Sequence, residues 1–167
     1  MTRLVGHAKM HAAPIAAAAV AITLLALPAS AAAKCHPGVH KFGSAEARTF
    51  CGKAQATVNL PGRTVTLRGG SCERTSDSST INIGTVVLSS TAKHLPDYFG
   101  VTVGKPAGSE PAGHDGTYVN DAAIAFVIGH KRYAVLLPTV VLQSGRTRGS
   151  FSGTELSGGV VSGTFHC

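Results

Sequence analysis

"CHPGVH" sets Cys35, His36 and His40 within six residues of one another, and thiolate and imidazole are the side chains that hold zinc or copper. Histidines four apart share a helix face, and His166 near the end of the chain offers a distant third ligand. Pro37 and Gly38 stand between the two histidines, however, and break any helix that would align them. The expectation is no metal and no cofactor, with His36, His40 and His166 as the residues that a metal-binding alternative would use.

Nucleophilic catalysis needs a serine or cysteine beside a histidine that a carboxylate orients. "GSFSG" at 149–153 puts Phe151 where the nucleophile of a G-x-S-x-G elbow would stand, so that motif fails. His114 lies next to Asp115 in a Gly- and Pro-rich stretch, but no nucleophile can be named for the pair. An enzyme would have to bring His94, His114 or His130 to a carboxylate in a pocket. Glu110, Asp115, Asn120 and Asp121 carry the oxygen ligands that calcium prefers, yet their spacing matches no calcium loop. No catalytic residue is assigned, and the chain reads as a non-enzyme.

The first residues decide how the cysteines are read. Arg3 and Lys9 precede an apolar run from Ala12 to Leu27, and Ala29-x-Ala31 and Ala31-x-Ala33 then supply small-residue cleavage sites. That is the three-part pattern of a secretory signal peptide over 1–33, cleaved near Ala31 to Ala33. A lipid-attachment signal needs a small residue before its cysteine. Lys34 stands there instead, so Cys35 is not expected to carry lipid. No other stretch is long or apolar enough to span a bilayer, and the remaining chain of about 134 residues is one domain in size.

All four cysteines follow the cleavage site, and an even count in an exported chain reads as two disulfides. Sequence alone allows three pairings. Cys35 and Cys51 enclose a short segment with no core of its own, so a local bridge is expected there, contributing about 3 kcal/mol if loop entropy governs. Cys72 is then left for Cys167, over a loop for which the same reasoning gives roughly 4–5 kcal/mol.

These residues need elements to position them. "SAEAR" is the one run with helical residues in succession, and Ser44 could cap a single helical turn there. From Ala54 onward β-branched residues alternate. "ATVNL" and "TVTLR" flank a Pro61-Gly62 turn, "TINIGTVVL" slips phase at Gly84 as a bulge would, and "YFGVTV" follows. Residues 104–116 form an exposed loop. A four-strand antiparallel meander then runs from "DAAIAFVI" to "VVSGTFHC", with Pro138 marking a bulge or edge and Cys167 on the inward face of the last strand. The expected fold is all-β, an antiparallel sandwich or flattened barrel of about seven or eight strands: a disulfide-tied N-terminal arm at 34–53 and a β domain at 54–167.

Past the cleavage site lysine and arginine exceed the acids by about five, which suits contact with anionic envelope polymers or lipid head groups. Lys131 and Arg132 fall at one end of the meander and Arg146 and Arg148 at the other, so one focused basic patch is not expected. Six phenylalanines, three tyrosines and no tryptophan give no stacking platform, and nucleic-acid binding is set aside.

The ending "FSGTELSGGVVSGTFHC", with "GGSC" upstream after a hairpin, resembles the small exported lipoprotein antigens of mycobacteria and related actinobacteria over residues 54–167. The resemblance implies an envelope-associated, non-enzymatic β domain bridged by Cys72 and Cys167. Lys34 and the extra cysteine pair depart from that family's pattern, which points to release or loose wall association rather than anchoring. The function expected is therefore an exported domain with a binding or structural role. The alternatives are a small protease inhibitor presenting the 104–116 loop and a metal-binding protein using His36 and His40.

Overall fold

A computed structural model of the chain describes residues 35–88, 92 and 94–167; the signal peptide expected at 1–33 lies outside them. The strands are β1 (Gly38–Phe42), β2 (Ala45–Phe50), β3 (Gln55–Leu60), β4 (Arg63–Arg68), β5 (Gly70–Arg74) and β6 (Ser78–Val87). They continue as β7 (Tyr98–Gly104), β8 (Gly116–Val119), β9 (Ala122–Ile128), β10 (Lys131–Gln143), β11 (Arg148–Glu155) and β12 (Val160–His166). All twelve belong to one antiparallel sheet in the order β1-β2-β6-β7-β9-β10-β11-β12-β3-β4, with β5 on β6 and β8 on β10. The fold is all-β, as its alternation implies. The count exceeds seven or eight because β1, β2, β5 and β8 are short or weakly patterned, and a single sheet carries the strands rather than two stacked ones.

Among the described residues no ladder joins the end strands β1 and β4. From β4 the chain passes into β5, which pairs with β6, through Gly69, whose φ of +85° suits a residue without Cβ. The Gly69 amide donates to the Ala54 carbonyl at 3.0 Å, and the Gly69 carbonyl accepts from Gly84 at 3.2 Å. Gly84, at φ +83°, is where β6 changes partner from β5 to β2, so the phase slip in the sequence marks a real junction. Pro138 marks another. The β10–β11 register shifts between Leu136 and Thr139, and β10 pairs with β9 before this bulge and with β8 after it.

Inward residues form one main core containing Val58, Ile81, Phe99, Val101, Phe126, Val140, Phe151, Val161 and Phe165. Phe99 and Phe151 lie 5.5 Å apart by ring centroids, and Phe126 stacks on Tyr133 at 4.9 Å. Two cross-strand pairs between β11 and β12 explain the recurring glycines there: Gly149 faces Phe165, and Phe151 faces Gly163. A Cβ on Gly163 would meet the Thr57 carbonyl at 2.2 Å and the Phe151 ring at 2.5 Å. Each phenylalanine therefore occupies space that its neighbour's missing side chain leaves, which is how bulky rings fit a tightly packed interior.

Two local expectations are corrected. "SAEAR" forms no helical turn: it enters β2, where Ala47 is fully buried with Val87 and Leu95 in a second small cluster. A lone helical turn fixes several dihedrals for one hydrogen bond, whereas pairing with β6 supplies a ladder and burial together. The arm expected at 34–53 thus contributes, over its described residues, the β1–β2 hairpin to the sheet. Cys167, expected inward, is exposed, because β12 ends at His166 and the Cys167 amide leaves the ladder to bond the Thr147 carbonyl at 2.9 Å.

The disulfides are Cys35–Cys51 and Cys72–Cys167. The first closes 16 residues around the β1–β2 hairpin. The second closes 95 and ties β5 to the end of β12. Replacing Cys72 and Cys167 by alanine is expected to lower unfolding stability by roughly 4–5 kcal/mol, against about 3 kcal/mol for Cys35 and Cys51, as read by denaturant titration. Equal losses would contradict the loop-length account.

Candidate functional site

The residues singled out for chemistry are spread over the structure and largely occupied in holding loops. His130 contacts the Leu95 carbonyl through Nδ1 at 2.7 Å, and its ring meets that of His94 edge-on at 5.6 Å. Nearby, Asp97 accepts from the Gly129 amide at 2.9 Å and not from either histidine. His114 lies at the other end of β10, where its carbonyl accepts from the Tyr118 hydroxyl at 2.8 Å. Asp115 turns away from it and accepts from the Gly145 and Arg146 amides at 2.9 and 2.7 Å. No histidine–carboxylate ion pair occurs among the described residues.

Arg146 is the centre of this second end. Its Nη1 reaches the carbonyls of Thr75, Ser78 and Ala112 at 2.7, 3.2 and 3.1 Å and the hydroxyl of fully buried Ser79 at 3.4 Å. One guanidinium nitrogen thereby serves acceptors from the β5–β6 turn and the 105–115 loop, its hydrogens shared among them. Arg74 adds a bond to the Gly145 carbonyl at 2.9 Å. The 105–115 loop is also held from Asp121, whose carboxylate accepts from the amides of Ser109 and Glu110 and from the Ser109 hydroxyl. Those amides hold the Asp121 carboxyl below the usual aspartate value, the Ser109 bond contributing most. Glu110, Asp115, Asn120 and Asp121 do not converge: the two aspartates face different backbone amides, and Asn120 bonds the Pro138 carbonyl through its own amide.

His36 and His40 line a depression of about 400 Å³ with Cys35, Pro37, Val39 and Thr49. His166 sits on β12, far along the strand order from β1. Among the described residues no three His, Cys, Asp or Glu side chains come together as metal ligands. A further depression, of about 450 Å³, lies outside β7, β9 and β10 over Gly100, Ala123, Ala125 and Ala134. Tyr98 covers Gly100 there and donates to Asn82 at 2.6 Å; burial raises its hydroxyl pKa, and the Arg48 charge opposes that rise.

What sequence reasoning missed is the outward face of β8, β10, β11, β12, β3 and β4. Register aligns Thr117, Val141, Ser150, Thr164, Thr57 and Thr66 as one row across these six strands. The next row is Val119, Thr139, Ser152, Ser162, Asn59 and Thr64. A third row, on the other side of the first, holds Gln143, Arg148, His166, Gln55 and Arg68. The face carries no carboxylate. Neighbouring rows repeat every two residues along a strand and neighbouring strands lie about 4.8 Å apart, so the hydroxyls form a two-dimensional grid. Its concave corner, of about 470 Å³, is lined by Gln143, Arg148, Ser150, Thr164 and His166 over Gly149 and Phe165. Thr64 donates to Asn59 at 2.9 Å, and Arg68 donates to Gln55, but Arg148 and His166 have no hydrogen-bond or ion-pair partner among the described residues.

No protein-family model, curated protein or solved structure matches the chain.

Two outcomes follow from the loop contacts. Arg146→Ala is expected to cost about 2–3 kcal/mol in a thermal or denaturant melt, because it strips partners from part-buried acceptors; Arg146→Lys should recover part of the loss, since the four contacts converge on one nitrogen and an ammonium carries three donors. Unchanged stability in Arg146→Ala would refute the hub. The depressed Asp121 value stabilises the loop above the ordinary carboxylate range, and that contribution is lost as pH falls through the depressed value. The Ser109 and Glu110 amide shifts should therefore titrate with a midpoint below 3.8, and a midpoint at or above it would contradict the assignment.

Proposed function

We propose that this chain is an exported, non-enzymatic domain of the cell envelope or extracellular space, built to bind through the outward face of β8, β10, β11, β12, β3 and β4. The observation that carries the reading is the contrast in how polar side chains are used. In the loops, Asp115, Asp121 and Arg146 are committed to backbone partners that hold the fold. On the sheet face, Arg148, His166, Ser150 and Thr164 are exposed and committed to nothing. A surface where these four side chains keep free donors and acceptors, and no group is activated by a neighbour, suits recognition rather than reaction.

Export is supported by the two disulfides, which persist in oxidising compartments, and among the described residues no helix is long and apolar enough to cross a membrane. The leader pattern at 1–33, and Lys34 in place of a small residue before Cys35, favour release or loose wall association over lipid anchoring.

Intact mass spectrometry of the protein from culture medium, washed walls and membranes, before and after reduction, tests this. The expected species begins near Ala32 to Lys34, gains four hydrogens on reduction, and occurs in medium or bound reversibly to walls. Acyl mass on Cys35, or a chain that retains residues 1–33 and stays inside the cell, would overturn the reading.

A further inference from the structure

Resting on that binding reading, we infer that the ligand is an anionic polysaccharide, a polymer of hydroxylated sugars bearing carboxylates, laid across β10, β11, β12, β3 and β4. Three features of the face select this chemistry together. The first is charge. Arg148, His166 and Arg68 occupy one border row, with Arg148 and Arg68 three strand spacings apart, roughly 14 Å, and no acid lies in any of the three rows. Two guanidinium charges on a face without carboxylates are complementary to a ligand with negative groups along its length.

The second is the grid beside that border. Ser150, Thr164, Thr57 and Thr66 follow one another on adjacent strands, with Ser152, Ser162, Asn59 and Thr64 alongside. Each hydroxyl both donates and accepts, as does each sugar hydroxyl, so the two surfaces can exchange bonds over several positions without leaving a group unpaired. No aromatic side chain belongs to the three rows, so neither base stacking nor a hydrophobic anchor is offered there. The third is shape. The concave corner over Gly149 joins the border to the grid, with Arg148 and His166 on one side and Ser150 and Thr164 on the other, so one sugar unit can meet both a cation and hydroxyls.

Polygalacturonate supplies the probe, since it carries carboxylates and hydroxyls but no phosphate and no aromatic group. The secreted full-length mature protein should be retarded by it in affinity electrophoresis, and the retardation should fall as salt rises. Arg148→Ala combined with Arg68→Ala should weaken binding roughly tenfold. Ser150→Val combined with Thr164→Val keeps charge and strand propensity and should weaken it roughly fivefold. Lys41→Ala on β1, away from the face, should stay within about twofold. Melts verify that each variant is folded.

The inference is overturned if polygalacturonate leaves the wild type unretarded, or if Lys41→Ala loses as much as the arginine pair. It is also overturned if the hydroxyl pair binds like wild type, if neutral dextran binds as tightly as polygalacturonate, or if phosphatidylglycerol vesicles are bound and polygalacturonate is not. Washed cell walls separate this from the broader reading. Wall retention that depends on the face, without polygalacturonate binding, would remove the ligand class and keep the binding domain, whereas loss of both would remove both.

Discussion

The structure depends on the pairing of β3 with β12, two strands a hundred residues apart in the chain, through Gln55–Asn59 and Ser162–His166. Bringing them together closes a long loop at an entropic cost before any contact rewards it. Once it forms, the β3–β4 hairpin covers the flank of the C-terminal meander, and Val58 and Leu67 reach the same core as Phe151, Val161 and Phe165. The Cys72–Cys167 bridge acts on the same junction from the other side, shrinking the unfolded ensemble that this pairing must overcome.

That junction also explains why glycine and phenylalanine alternate where they do. At β11–β12 the inward side of the sheet must admit Phe151 and Phe165 beside close backbone, and Gly163 and Gly149 leave the room. A methyl group at Gly163 would collide with β3's own carbonyl at Thr57, so the same glycine that admits a ring also lets β3 approach. The outward side inherits the consequence. Because β3 and β4 dock beside β12 in register, hydroxyls from the two halves of the chain fall into common rows, and the cations of β11 and β4 end up on one border.

Loops at the Arg146 end of the sheet are then fixed by polar groups, with Ala112 the one side chain of 105–115 buried in the core. Arg146 gathers carbonyls from the β5–β6 turn and the 105–115 loop, while Asp115 and Asp121 take amides from loops that would otherwise present them to water. This is a costly use of charged residues in a chain with few acids. It leaves the sheet face as the place where Arg148 stands unpaired beside the hydroxyls of Ser150 and Thr164.

Much of this was legible in the sequence. Alternation of β-branched residues fixed eight of the strands, glycine and proline marked the junctions at Gly84 and Pro138, and cysteine spacing with loop-closure reasoning indicated both disulfides. These are local or entropic properties, carried by residue type and separation alone. Strand β2 was misread because alanine and glutamate favour a helix in isolation, and only burial of Ala47 beside Val87 decided otherwise. The inward expectation for Cys167 failed for a similar reason, since alternation cannot say where a ladder stops. Above all, the order of strands and their register came from tertiary structure. Thr57, Thr66, Ser150 and Thr164 each read as ordinary outward polar residues, and only long-range pairing, which leaves no mark on the sequence near either partner, placed them side by side with Arg148 and His166.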